Sequence, residues 1–262
     1  MKKILILLLF VYINLLASQH FVIVVASYNN KDFCEWNLQT IYEQDYDNYE
    51  VRYVDDCSTD GTDILVNDII TKRNQWHRTK FIRNEKRYGS HVRNQYYQIH
   101  DCKDDDVIVI VDGDDGLAHP GVLKYLDNIY SNPNIWMTYG QFIEKNSGNL
   151  GYNVRISRGV ILKNDFRSFG SMPTHLRTFK AWLFKKIKKK DLLYEGDFYK
   201  MTGDMSFMLP MLEMAGKHSK FISEVLYIYN DNNPISDHRV DWDLQKKLNK
   251  HIRSLPKYRP LN

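Results

Sequence analysis

A chain of 262 residues is long enough to bury one large hydrophobic core or two smaller ones, and 43% of its residues are hydrophobic. This content excludes a chain that is disordered throughout. The 36 basic and 32 acidic residues leave a formal charge of only +4, which excludes the strong positive field of a nucleic-acid-binding protein, and we expect no nucleic-acid partner.

Residues 1–18 have the composition of a signal peptide. Two lysines precede an apolar stretch over residues 4–16, and the small residues Ala17 and Ser18 follow it. Because the stretch is shorter than the ~20 residues of a transmembrane helix, a short membrane anchor is the alternative. Cleavage would place the protein in the lumen of the endoplasmic reticulum or Golgi, whereas an uncleaved segment would tether it to a membrane.

From residue 20 onward, short apolar runs alternate with amphipathic stretches. Strands are predicted over 21–26, 49–56, 79–84 and 106–112, and helices over 33–44, 59–72, 89–100 and 120–130. Buried strands separated by amphipathic helices predict an α/β fold with a mostly parallel central sheet that is covered on both faces.

The second half of the chain is less regular. Its pattern predicts strands over 135–144 and 153–161, a structured loop over 168–179, helices over 179–187 and 204–215, and a last strand over 221–230. No Pro-rich or Ser-rich linker interrupts the sequence, so we expect one composite domain over 19–240, followed by a basic C-terminal tail over 241–262.

A run of lysines surrounds Ile187, at positions 185, 186, 188, 189 and 190. Such a run suits contact with an anionic membrane surface or an acidic ligand. A solvated helix face or loop is the alternative.

Polar sequences follow three of the predicted strands: SYNN, DDCSTDGT and DGDD follow the first, second and fourth. In parallel sheets, ligands bind beyond these carboxyl ends. The last sequence brings Asp112, Asp114 and Asp115 together, and carboxylates that repel one another favour a divalent cation, with an acidic turn as the alternative. The chain has neither GxxxxGK[ST] nor a GxGxxG after its first strand, which excludes a P-loop and a dinucleotide site.

Five motifs, VVASYNN, YVDDCSTDGT, GSHVRN, IVDGDD and TGDMSF, occur in this order, and together they resemble the family 2 glycosyltransferases of GT-A fold over about residues 21–236. The resemblance implies a Rossmann-like nucleotide-binding half fused to a smaller acceptor-binding half. It also implies inverting, metal-dependent transfer of a sugar from a nucleotide sugar, expected to be a UDP-sugar, to a hydroxyl of a glycan, glycoprotein or glycolipid acceptor.

The resemblance assigns donor binding to residues at several strand ends, namely Ala26, Tyr28, Asp55, Asp56, Gly89, Arg93, Asp112 and Gly113. Tyr28 would stack on the base, a contact worth on the order of 1–3 kcal/mol, and Asp56, with Asp55 beside it, would accept a hydrogen bond from uracil. Gly89 would permit a tight turn, and Arg93 would face the diphosphate. The alternatives are a core-capping aromatic for Tyr28, a helix cap or turn for the two acids and a surface ion pair for Arg93.

The same resemblance implies Mn²⁺ or Mg²⁺ as cofactor, with Asp112, Asp114 and His238 as ligands. Asp112 would also lie near the ribose, and Asp114 would hold the metal against both phosphates. Asp115 is left as a second ligand or a helix cap. For His238, a surface position is the alternative.

Asp204, in TGDMSF, matches the second acid of a pair that the family places at a helix start, and the resemblance makes it the general base. Gly203 stands where the family has the first acid. A helix cap at Asp204, with a kink at Pro210, is the alternative.

His175, Arg177 and Trp182 are the acceptor-side candidates, because aromatic faces suit sugar rings. Two other functions stay open. A sugar nucleotidyltransferase shares the sheet and the acidic ligands, and a catalytically silent glycan-binding module would bind sugar without cleaving a donor.

Overall fold

In the computed structural model, residues 18–171, 173–234 and 240–261 are described. The predicted signal peptide or anchor falls, except for Ser18, outside these residues. No helix among the described residues is long and apolar enough to cross a membrane.

A mostly parallel sheet of eight strands forms the centre of the described structure. The first half of the chain contains β1 (Phe21–Ser27), α1 (Cys34–Tyr42), β2 (Tyr49–Asp55), α2 (Thr62–Lys72), β3 (Thr79–Arg83), α3 (His91–His100), β4 (Val107–Asp112), β5 (Gly116–Leu117) and α4 (Val122–Tyr130). The second half contains β6 (Met137–Glu144), α5 (Arg158–Leu162), β7 (Arg177–Lys180), α6 (Ala181–Lys185), β8 (Leu193–Tyr194), β9 (Asp197–Phe198), α7 (Gly203–Ala215), β10 (Ser219–Tyr229) and α8 (Trp242–Ser254). The strands of the central sheet lie in the order β3-β2-β1-β4-β7-β6-β10-β5.

The apolar runs of β1 and β4 are continuous because each strand contributes to a core on both faces of the sheet. Val22 and Val24 lie in one core cluster, whereas Phe21, Ile23 and Val25 lie in the other. Successive side chains of a strand point to opposite faces, so only a sheet covered on both faces buries all of them. The predicted α/β architecture is therefore confirmed.

The second half departs from the predicted pattern within residues 153–179. The strand predicted over 153–161 is wrong, because Ser157 accepts a hydrogen bond from the Val160 N–H and caps the short helix α5. The predicted loop over 168–179 ends in a strand, β7, which pairs antiparallel with both β4 and β6.

The direction of β7 determines which residues next to it in the sequence lie at the carboxyl edge of the sheet. Arg177 pairs with Ile110 near the carboxyl end of β4, and Lys180 pairs with Val107 at its amino end. The residues that follow β7 therefore lie at the edge opposite the DGDD sequence.

The stretch predicted as a basic tail contains helix α8. Leu248 and Ile252 of this helix are buried in the core cluster that also contains Val22 and Val24. A buried ion pair fixes this end of the chain: Arg167 Nε lies 2.6 Å from Glu213 Oε1 of α7. Arg167 also donates to the carbonyl oxygen of Ile252 in α8. The guanidinium therefore joins α7 to α8.

Replacing Glu213 with alanine is expected to lower the free energy of unfolding by about 3–5 kcal/mol, because the Arg167 guanidinium would stay buried without its partner. Urea denaturation measures this change. The control is Asp104→Ala, which removes an ion pair with Lys185 at the surface and should cost about 0–1 kcal/mol. Equal losses in the two variants would contradict a structural role for the buried pair.

Candidate active site

A cavity of about 620 Å³ opens at the carboxyl edge of β1 and β4. Pairing within the sheet sets this edge, because Ala26 lies opposite Asp112 and Ser27 lies opposite Asp55. Eight of the residues singled out from the sequence line the cavity: Ala26, Tyr28, Asp112, Asp114, Asp115, His175, Arg177 and Asp204. The structure thus brings the end of β4 and the start of α7 into one site.

The turn after β4 packs tightly against the end of β1. A Cβ atom on Gly113 would lie 2.7 Å from both Ser27 Oγ and Asn30 Nδ2, so a larger residue would push the turn outward. The Asn37 amide of α1 donates to the carbonyl oxygens of Asp112 and Asp115, at 3.0 and 2.7 Å. These contacts hold the DGDD turn in place.

The three carboxylates of this turn have different surroundings. Asp115 is buried and accepts hydrogen bonds from the Tyr227 hydroxyl and the Asn230 N–H, both at 2.7 Å. It caps no helix, since α4 begins at Val122. Asp114 accepts a bond from the Asn233 amide at 2.6 Å.

Burial raises the pKa of Asp114 to about 6; the hydrogen bond from Asn233 opposes this rise and the Asp112 charge adds to it. Burial, followed by the charges of Asp114 and Asp112, raises the pKa of Asp115 well above its ordinary value. The raised pKa values show that the carboxyl groups of this turn are difficult to ionise together. A bound cation would favour their ionised forms.

Arg177 lies between two of the carboxylates. Its Nη2 is 3.0 Å from Asp204 Oδ2, and its Nη1 is 3.5 Å from Asp112 Oδ2. Although burial alone would lower the pKa of Arg177, these two acids raise it above its ordinary value. The guanidinium thus carries a fixed positive charge that links the end of β4 to α7.

His175 belongs with the metal candidates as well as with the acceptor side. One ligand atom each from His175, Asp112 and Asp115 lie within 4.8 Å of one another. Burial and the neighbouring Arg177 lower the pKa of His175 well below its ordinary value, so the imidazole is neutral, and its buried Nδ1 has no hydrogen-bond partner among the described residues. Two carboxylates and a neutral imidazole fit Mn²⁺ or Mg²⁺. His238, predicted as the third ligand, lies outside the described residues.

Asp204 is the second residue of α7, whose N-cap is Thr202, so Asp204 is not the cap of this helix. A Cβ atom on Gly203 would lie 2.2 Å from Val92 Cγ2 and 2.8 Å from His91 Nε2. The start of α7 therefore packs too closely on α3 for an acid at position 203. Pro210 lies inside α7, and the helix continues past it to Ala215.

On the predicted nucleoside side, the Arg87 guanidinium lies 3.8 Å from the centre of the Tyr28 ring. Asp56 accepts hydrogen bonds from the N–H groups of Tyr88 and Gly89 and so holds the loop before α3. Asp55 is fully buried and accepts bonds from the N–H and hydroxyl groups of Ser58. Both acids stabilise turns in this structure, and direct contact of Asp56 with a base stays a prediction.

Six predicted residues in the described part of the chain do not line this cavity: Asp55, Asp56, Gly89, Arg93, Gly113 and Trp182. The Arg93 guanidinium lies 3.2 Å from the centre of the Tyr88 ring, so its role toward a diphosphate stays a prediction. Trp182 packs against Trp136, with ring centres 5.1 Å apart, and follows the antiparallel strand β7 at the amino end of β4. Trp182 therefore lies at the edge of the sheet opposite the DGDD turn, and its acceptor-side role stays a prediction.

Sequence reasoning missed several residues that line the cavity, among them His91, Gln95, Tyr152 and Trp242. His91 and Gln95 are one helical turn apart on α3 and so lie on the same face of the helix. Their spacing, in a helix predicted to follow a strand of the sheet, is the sequence signal that could have identified them. Gln95 is buried, and its Oε1 has no hydrogen-bond partner in the described part of the chain. Tyr152 and Trp242 come from segments whose position depends on the tertiary fold.

Comparisons with known proteins agree with this architecture. The family model described as glycosyl transferase family 2 matches residues 22–190. No curated protein matches the chain in sequence.

Among solved structures, S. aureus TarS is similar, with a TM-score of 0.62 and 19% identity over 81% of this chain and 37% of that one. TarS 1–349 in complex with UDP-GlcNAc gives a TM-score of 0.59 and 19% identity over 82% and 59% of the two chains. The mannosyltransferase PcManGT from Pyrobaculum calidifontis, in complex with GDP-Man and Mn²⁺, gives 0.61 and 17% identity over 93% and 67%. The chain thus spans less than two thirds of the TarS chains.

The matched region contains both the DGDD turn and β7, and the fold is similar to that of the neighbouring transferase structures. The chain belongs to glycosyl transferase family 2 and has the GT-A fold.

Proposed function

We propose that this enzyme is an inverting glycosyltransferase that moves a sugar from a UDP-sugar to a hydroxyl of a glycan, glycoprotein or glycolipid. One observation carries the proposal. Asp112, at the end of β4, and Asp204, at the start of α7, lie on either side of the same Arg177 guanidinium in one cavity.

The donor class is supported by the site and by the similar structures. TarS has been solved with UDP-GlcNAc and with UDP, and PcManGT with GDP-Man and Mn²⁺. In this chain, Tyr28 and Ala26 line the cavity next to the DGDD turn, where a nucleoside would lie before its diphosphate. A nucleotide sugar is therefore the donor that we propose, with UDP as its nucleotide.

Asp204 acts as the general base in the proposed mechanism. It removes the proton from the acceptor hydroxyl, whose oxygen forms a bond to the anomeric carbon as the bond to the diphosphate breaks on the opposite face. A single displacement of this kind inverts the anomeric centre. Arg177 orients Asp204 from 3.0 Å away through its guanidinium.

Asp112, Asp114, Asp115 and His175 are the residues that would hold Mn²⁺ or Mg²⁺, which when bound supplies positive charge for the diphosphate leaving group. Asp112 keeps its contact with Arg177, so the protein itself also supplies a cation at this end of the cavity.

Release of UDP from a UDP-sugar, dependent on both metal and acceptor, is the experiment that tests the proposal. Formation of a nucleotide sugar from a sugar 1-phosphate and a nucleoside triphosphate would instead indicate a nucleotidyltransferase. Sugar binding with no donor cleavage would indicate a silent binding module.

Asp204→Ala is expected to lower kcat at least ~100-fold without changing donor affinity, because it removes the base and leaves the donor side intact. Steady-state kinetics and calorimetric titration with UDP measure the two quantities. Asp243→Ala, which removes an exposed aspartate from the first turn of α8, is the matched control. Near-normal turnover in the Asp204 variant would remove this residue from the mechanism.

Asp114→Ala is expected to lower the rate at least ~100-fold as well, but through loss of metal. Calorimetric titration with Mn²⁺ separates this cause from loss of the base, since Asp204→Ala should bind Mn²⁺ normally. Unchanged Mn²⁺ affinity in Asp114→Ala would show that the other carboxylates and His175 suffice to hold the ion.

Mn²⁺ affinity is expected to fall about tenfold for each pH unit below about 6, because a proton on Asp114 must then be displaced. The free energy of unfolding of the metal-free protein should instead fall as pH rises. The pKa of Asp114 in the folded state exceeds its ordinary value of 3.8, so the folded state binds more protons than the unfolded state. The stability that Asp114 contributes is therefore lost as pH rises from 3.8 to about 6. Thermal unfolding of metal-free Asp114→Asn should lack this decline. Mn²⁺ affinity that is constant between pH 5 and 7 would contradict the raised pKa.

A further inference from the structure

Two large aromatic side chains at the cavity are exposed. Tyr152 has 66% of its surface exposed and Trp242 has 57%, and both line the cavity that contains Asp204. Exposed aromatic surface beside a polar cavity is typical of a binding site, because rings that serve only the core become buried on folding.

One face of helix α8 forms part of the cavity. Trp242, Gln245 and Asn249 are spaced three and four residues apart, which places them on the same side of the helix, and all three line the cavity. Asn249 Nδ2 lies 3.1 Å from the sulfur of Met205, which directly follows Asp204. This contact fixes the α8 face beside the proposed base.

Tyr152 reaches the same cavity from the segment after β6. Its ring packs edge-on against Phe142, with centres 5.6 Å apart. Tyr152 and Asp204 both line this cavity, so the largely exposed Tyr152 ring borders the same space as the proposed base.

Polar groups accompany the two rings. The Oε1 atom of Gln245 is buried and has no hydrogen-bond partner within the described residues, and Glu144 also lines the cavity. A buried carbonyl oxygen without a partner is unfavourable unless a ligand donates to it. A hydrocarbon ligand would leave it unpaired, whereas a hydroxyl-bearing ligand would satisfy it.

We infer that Tyr152, Trp242 and Gln245 form a binding site for a sugar ring of the acceptor, which makes the acceptor a saccharide. This inference rests on the proposed function and specifies its acceptor. The C–H faces of a pyranose ring pack against aromatic rings, and its hydroxyls pair with amide and carboxylate groups at the edges. The position beside Met205 and Asp204 presents the bound ring's hydroxyl to the base.

Binding of mannotetraose, chitotetraose and cellotetraose, followed by saturation-transfer NMR and calorimetry, tests the inference. The wild-type protein should bind at least one of them. Trp242→Ala and Tyr152→Ala should each weaken that binding roughly tenfold, and Trp242→Phe should restore most of it. Trp76→Ala is the matched control, because Trp76 is also exposed, at 46%, but does not line the cavity. Unchanged unfolding midpoints and UDP affinity would show that the variants are folded.

Failure of the wild-type protein to bind any of the three oligosaccharides would overturn the inference, and so would unchanged binding in Trp242→Ala. Loss of binding to phosphatidylglycerol vesicles in that variant, with oligosaccharide binding kept, would assign the rings to a membrane surface instead. Cleavage of UDP-sugars by the wild-type protein is measured separately. Its absence alongside a ring-dependent sugar site would contradict the proposed function and leave the sugar site standing.

Discussion

The Arg177 guanidinium is the interaction on which the arrangement of the site depends. Asp112 and Asp204 belong to elements far apart in sequence, and in a cavity that also contains Asp114 and Asp115 their charges would repel one another. Arg177 is buried and approaches both acids, at 3.5 and 3.0 Å. A cation supplied by the fold thus permits the DGDD turn and Asp204, the proposed base, to share one cavity.

The antiparallel direction of β7 places that cation. A parallel strand in the same position would carry Arg177 to the amino edge of β4, away from the DGDD turn. In the observed register, Arg177 pairs with Ile110, two residues before Asp112. The direction of β7 therefore determines the electrostatics of the site, because reversing this short strand would leave Asp112 and Asp204 without the buried Arg177 guanidinium.

Local periodicity explains how far the sequence alone could predict this protein. β1 and β4 can be predicted from the sequence because each is an apolar run whose side chains are buried on both faces of the sheet. The DGDD turn directly follows the end of β4. β7 is only four residues long, and its place between β4 and β6 depends on pairing with distant strands. Arg177 and Trp182 are close in sequence and lie at opposite edges for this reason. The role of α8 in lining the cavity depends likewise on its packing against α7, which a polar and basic composition does not reveal.

The loss of the family's first acid at position 203 has a packing explanation. With glycine there, α7 begins in contact with α3, and a side chain would overlap Val92 and meet the His91 imidazole. The close approach also brings His91 into the cavity lining beside Asp204. Where the family pattern has a pair of acids, this chain therefore has one, Asp204, which forms an ion pair with Arg177, and the His91 imidazole lines the same cavity. A larger residue at position 203 would therefore move α7 relative to α3 and displace Asp204, the proposed base, so the glycine is a packing requirement of this cavity as well as a departure from the family pattern.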